Sequence, residues 1–272
     1  MQLFRMVFQW YVRASIHVSL CLIALVGFTS AVFDSEVSAA YYLALFFGSI
    51  AGYNTIKYGL ESGRYLGLLA RERRFVMVLS ALSLGMGCYF LIQLPPGVWL
   101  LFLLAGFITA LYAVPLKPGG VNLRSYGFLK VMLVALVWTI LSVWAPLWGL
   151  ENLNSWDAGV ESFQRVLWVF LLMLPFEIRD MKSDPPQMKS IPQRFGLRAT
   201  RYIAWGIAVL FALATGMKDA PAVGEYEVKI IVALLMGLTI AFATEKQHRY
   251  YAAFWVEGIP LAALGLLLWF QH

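Results

Sequence analysis

VLWVFLLMLPFEIRDMKSDPPQMKSIPQRFG, residues 166 to 196, passes from an unbroken apolar run into one of the most charged parts of the chain. The first half is the interior of a membrane-spanning helix. Residues 176–196 then carry three carboxylates (Glu177, Asp180, Asp184) and four cations (Arg179, Lys182, Lys189, Arg194). The reading of the fold rests on whether such runs recur, and on what the charge does at their ends.

They do recur. The chain has 272 residues, 61% hydrophobic and 13% charged; a soluble domain carries about twice that share of charge. Nine apolar stretches have roughly the 17–25 residues that a bilayer core requires. They lie near 14–33, 37–56, 75–94, 97–115, 125–148, 161–177, 199–217, 227–244 and 250–270. Helix breakers fall between them: LPPG at 94–97, PLKPGG at 115–120 and DPP at 184–186. The expectation is one all-α membrane domain over 1–272, with nine transmembrane helices.

With the N-terminus inside, 18 of the 21 basic residues fall in cytoplasmic segments. Only Arg165, Lys218 and Lys229 fall outside, beside eight acids. This is the bias of the positive-inside rule. It puts the C-terminus outside, fits a bacterial plasma membrane, and explains the net charge of +6 without nucleic acid. Cys21 and Cys88 sit inside apolar runs, so neither a disulfide framework nor a thiolate zinc site is indicated. Residues 1–33 have the outline of a signal peptide, but cleavage would remove the first span and disturb the count, so retention is expected.

Glu177, Asp180 and Asp184 are spaced three and four apart, which puts them on one face of a helix. Three acids on one face repel one another, so a positive charge belongs there. Oxygen-rich clusters suit magnesium, which also bridges to substrate phosphates. Arg179, Lys182, Lys189 and Arg194 can supply phosphate donors around it. The bland alternative is a solvated loop with incidental acids.

The order of these residues resembles the second aspartate-rich motif of the UbiA family of intramembrane prenyltransferases. Glu177-x2-Asp180-x3-Asp184 is followed by Lys189-Ser190 and Phe195-Gly196, with Arg179 before the first aspartate. LYAVPLK at 111–117 and LKVMLVALVW at 129–138 are weaker echoes. The resemblance implies a nine-helix bundle with motif loops at about 54–74 and 177–198 on the cytoplasmic side. It implies transfer of a prenyl group from a polyprenyl diphosphate to an aromatic or other lipid-biosynthesis acceptor, with Mg2+. Asp180, Asp184 and Lys189 would be the catalytic residues, and Asp180, Asp184 and Glu177 the metal ligands.

The family's first motif, Asn-Asp-x2-Asp-x3-Asp, has no full counterpart. Aligned on Asn54, its aspartates are replaced by Thr55, Tyr58 and Ser62; shifted by one, the pattern reads Asn54-x2-Lys57-x3-Glu61. Two accounts remain. Lys57 clamps the diphosphate directly, with Asn54 donating a hydrogen bond; or Lys57 pairs with the surviving acids and the chain turns nothing over. In the second case the protein is a non-catalytic member that binds an isoprenoid lipid or a partner. Arg179, Lys130 and Tyr112 (with Lys117) are further candidate contacts to substrate. So is Glu257, an ionisable residue well inside the ninth span, where burial in lipid is costly. His17 reads as an interior hydrogen-bonding residue. Trp10, Trp144, Trp148 and Trp156 fall at span ends, where aromatic belts form.

Overall fold

A computed structural model describes residues 2–59, 70–114 and 122–272, and gives no side-chain detail for 2–5, 59 or 70–73. Glu61, Ser62, Arg64, Lys117 and the PLKPGG stretch lie outside the described residues. Among the described residues every regular element is helical. The main helices are α1 (Gln2–Arg13), α2 (Ile16–Val32), α3 (Ala39–Asn54), α4 (Ala70–Leu91) and α5 (Pro96–Ala113). They continue as α6 (Gly127–Thr139), α7 (Ser155–Asp180), α8 (Ile191–Leu213), α9 (Glu225–Phe242) and α10 (Ile259–Gln271). Wide π turns extend three of them: Thr55–Gly59 after α3, Ile140–Trp144 after α6, and Tyr251–Val256 ahead of α10.

Each of the nine expected stretches is helical over most of its length. Six helical segments among the described residues are long and apolar enough to cross a membrane, or seven if the bent α1–α2 pair is one span. The shortfall has a physical cause. The α-helical part of α3 is only 16 residues long, and the 18 residues of α9 include Glu225, Glu227 and Lys229. The chain is an integral membrane protein.

The starts and stops follow local chemistry. Pro96 takes the first-turn position of α5, where a missing N–H costs nothing. Asn154 caps α7, its side chain accepting from Trp156 and Asp157 N–H. The element not expected is α1, which meets α2 at 59°. The corner is Ser15, held at φ 63°.

Helix α7 is the axis of the bundle. Sixty-one per cent of its span is buried, against 17% for α4 and α5, so α7 faces protein and those two face lipid. Helices α6 and α8 flank α7; α9 packs on α8, α10 on α9, and α10 returns to α2, which leads through α3 to α4. Trp168 of α7 meets Phe28 and Phe211 edge-on at 5.5 and 5.6 Å. Close backbone approach helps: a Cβ on Gly87 of α4 would lie 3.1 Å from Gly48 N of α3, the use that membrane helices make of small residues.

Candidate functional site

Lys57, Lys130, Glu177, Arg179, Asp180, Asp184 and Glu257 gather where α3 and α7 end and where α6 and α10 begin. The C-terminal turn of α7 carries Glu177, Arg179 and Asp180, and Asp184 follows in a turn closed by Asp184 N–H donating to Asp180 C=O at 2.8 Å. The loop to α8 is held by one side chain. Gln193 Nε2 donates to Met181 and Asp184 C=O, both at 3.0 Å, while its Oε1 accepts from Ser190 N–H at 3.0 Å.

Glu177 is buried, its side chain 1% exposed. Lys130 Nζ of α6 lies 2.5 Å from Glu177 Oε1 and 3.6 Å from Asp184 Oδ2. The same ammonium meets Met188 Sδ at 3.7 Å. A contact of backbones puts Lys130 there: a Cβ on Gly127 would stand 2.5 Å from Ser190 Cα. Only a glycine lets the first turn of α6 rest on the motif loop. Asp180 is taken separately. Arg179 Nε and NH2 donate to its two oxygens at 2.7 and 2.8 Å, a bidentate pair. Lys182 pairs with Glu245 at 2.5 Å.

The positive charge that the three acids call for is therefore present, and it comes from the chain. Glu177 and Asp184 share Lys130, and Asp180 has Arg179. The three carboxylates do not converge as a ligand set. Among the described residues no group of three or more Asp, Glu, His or Cys side chains is placed to hold a metal ion. The magnesium implied by the resemblance does not fit these side chains as they stand, because an ammonium already lies between two of its three expected ligands.

The degenerate first motif faces another partner. Lys57 sits on the π turn that continues α3. Its charge, with that of Arg179, acts on the Glu257 carboxylate at the end of the π turn before α10. Asn54 is buried; its Oδ1 accepts from Ser15 Oγ at 2.9 Å, and its Nδ2 has no acceptor. Tyr112, near the end of α5, is close enough to act electrostatically on Lys130. Lys189 stands apart, exposed, with φ 51° at the loop's left-handed turn. His17 is fully engaged: its ring contacts Tyr11 OH at 2.8 Å and Phe254 C=O at 2.9 Å.

Two aromatic residues were passed over in the sequence. Trp138 Nε1 donates to Tyr53 OH at 2.6 Å, and the Tyr53 hydroxyl is within electrostatic reach of Glu257 and Tyr112. Both are ordinary aromatics in apolar runs. The one available signal was position, a turn before Lys57 and two turns after Lys130.

No family model matches this sequence, and no curated protein matches it either. Solved structures match in shape. A UbiA homologue from Archaeoglobus fulgidus bound to DMAPP and Mg2+ superposes with a TM-score of 0.66 at 10% identity, covering 96% of this chain and 98% of that one. A UbiA homologue from Archaeoglobus fulgidus bound to GPP and Mg2+ gives 0.65 at 12% identity, covering 96% of this chain and 97% of that one. A digeranylgeranylglyceryl phosphate synthase gives 0.55 at 14% identity, covering 96% and 93%. The chain has the fold of these proteins over nearly its whole length.

Proposed function

We propose that the chain is a divergent member of the UbiA family, an integral membrane transferase that binds a polyprenyl diphosphate at the end of the bundle bearing Lys130, Arg179 and Lys57. The observation that carries this reading is the gathering of both motif positions at one end of a fold shared with proteins that hold DMAPP or GPP. In this reading the isoprenoid tail lies between helices and the diphosphate meets the cations. Asn54 Nδ2, buried without an acceptor, supplies a neutral donor. Lys189 approaches from the exposed loop. The bond from the allylic carbon to oxygen breaks, and the diphosphate leaves with the electron pair. An electron-rich acceptor then captures the carbon and gives up a proton. Water has to be excluded, or hydrolysis competes.

One feature favours a second reading, binding without turnover. Lys130 and Arg179 are already engaged by Glu177, Asp184 and Asp180, which leaves less positive charge to stabilise a departing diphosphate. Purified protein given geranyl diphosphate and a panel of aromatic and lipid acceptors separates the two. Release of diphosphate that depends on acceptor supports the transferase; saturable binding with no release supports the binder.

The same reading has nine crossings, with the N-terminus in the cytoplasm and His272 outside. A reporter fused after His272 is expected to score as external, and a cytoplasmic score overturns the topology.

A further inference from the structure

We infer that Lys130 is the resident cation of the acidic motif: its ammonium stands between Glu177 and Asp184 where a divalent metal would be held, so a diphosphate reaching this end meets a lysine there and not magnesium. Three observations carry this.

The first is geometry. One nitrogen lies within 2.5 Å of a Glu177 oxygen and 3.6 Å of an Asp184 oxygen. Magnesium needs about six oxygens at roughly 2.0–2.1 Å, and it cannot share that position with an ammonium. The second is burial. The Glu177 side chain is 1% exposed and that of Lys130 11%. A buried carboxylate needs a counter-charge, and removing one partner of such a pair leaves a costly lone charge. Lys130 thus cannot swing away without stranding Glu177. The third is how Lys130 is delivered. The Gly127–Ser190 contact fixes the start of α6 against the motif loop, and Gln193 fixes that loop to Asp184 C=O. The ammonium and its acids are held by separate devices that converge.

The test uses full-length protein in detergent and reads metal directly. Mn2+ serves as the spectroscopic probe, titrated with no prenyl diphosphate present. The parent protein is expected to show no saturable Mn2+ site. Lys130→Met frees Glu177 and Asp184 and is expected to gain a saturable site, with Mn2+ held about tenfold or more above the parent's residual binding, because a like charge a few ångströms away has been removed. Lys130→Arg keeps the charge and is expected to gain none. The inference is overturned by a Mn2+ site in the parent that Asp184→Asn abolishes. It is equally overturned if folded Lys130→Met binds no Mn2+. If Lys130→Met does not fold, the comparison of parent with Asp184→Asn decides alone.

A second arm tests the parent with geranyl diphosphate, with and without EDTA. Binding that survives EDTA agrees with the inference, and binding abolished by EDTA overturns it. Absence of any geranyl diphosphate binding counts against the proposed function, while the Mn2+ titration still decides the role of Lys130.

Discussion

Glu161 and Glu177 lie on the same helix, about 24 Å apart along its axis at 1.5 Å per residue, and each side chain is 1% exposed. Around Glu161 every charge is met. Arg165 NH2 donates to it at 2.9 Å, Lys218 Nζ at 2.9 Å and Lys229 Nζ at 2.7 Å. Glu225 takes the same two lysines, and Gln164 accepts from Lys229 while donating to Phe211 C=O and Thr215 Oγ1. Arg165 spends its NH1 and other NH2 bonds on Leu25 C=O, Ser142 and Thr29. Around Glu177 the company is thin. Lys130 Nζ stands 2.5 Å from Oε1, and Oε2 has no donor.

The difference separates two uses of charge in a membrane. The Glu161 cluster ties α2, α6, α7, α8 and α9 together and has few bonds left to offer. Lys218 lies just beyond the spanning helices and carries its proton more firmly than an ordinary lysine. Burial favours its neutral form, but the Glu161 and Glu225 carboxylates outweigh that. At the other end each acid has a single cationic partner, Lys130 for Glu177 and Asp184 and Arg179 for Asp180.

The largest expected effect tests this contrast directly. Glu161→Ala leaves Arg165, Lys218 and Lys229 buried around one carboxylate fewer. Breaking a buried pair costs about 3–5 kcal/mol, so thermal unfolding in detergent should move down by roughly 10 °C or more. Glu177→Ala removes one carboxylate and leaves Lys130 with Asp184, so its shift should be under half as large. Equal shifts for the two variants would erase the distinction between the ends.

Next in size is Lys57→Ala. If Lys57 contacts the diphosphate, a charge-assisted hydrogen bond is lost, on the order of 1.5–3 kcal/mol, or roughly 10- to 150-fold in affinity. If it serves only to balance Glu257, geranyl diphosphate affinity stays and the melting temperature falls. Titration and melting on the same variant tell a ligand-facing end from a second structural cluster.

Gly127→Ala comes third. Its added methyl would overlap the Ser190 backbone at 2.5 Å, an overpacking of about 1–3 kcal/mol. The relief is for α6 to back away from the motif loop, carrying Lys130 from Glu177 and Asp184. The variant should therefore lose stability and also gain some Mn2+ affinity. Lost stability with no change toward Mn2+ would mean that Lys130 reaches the acids without help from this contact.

Much of the scaffold was legible because hydropathy and helix breakers report on it directly. Span 161–177 is the core of α7, and the motif at its end is where the sequence put it. The ends were harder. The stretch 199–217 missed the start of α8, although Ser190 stands at its N-cap with Pro192 and Gln193 in its first turn, because Gly196 at φ 77° breaks the helix early. The three cations that broke the inside bias, Arg165, Lys218 and Lys229, prove to be the buried Glu161 cluster. Its signal was present in Glu161–Arg165 and Glu225–Lys229, both four apart inside apolar runs. The partner of the acidic motif was not legible. Lys130 is 47 residues from Glu177, and their meeting depends on the Gly127–Ser190 contact, which no spacing announces.

Lys189 gives the smallest effect and the finest test of which end is built for a ligand. It holds φ 51° and ψ 49°, a left-handed conformation that costs a side-chain-bearing residue about 1–2 kcal/mol. Gln193 fixes the loop on both sides of it, so the strain is imposed by the surroundings. Lys189→Gly removes strain and ammonium together; Lys189→Ala removes the ammonium and keeps the strain. Glycine also frees the unfolded chain, which takes back roughly 0.5–1 kcal/mol. The glycine variant should thus be more stable than the alanine variant by at most about 1 kcal/mol. Both should lose geranyl diphosphate affinity to the same degree if the ammonium touches ligand. If alanine and glycine both leave affinity unchanged, Lys189 is no part of the binding end. If only glycine weakens binding, what the ligand uses is the rigidity of the loop and not its charge.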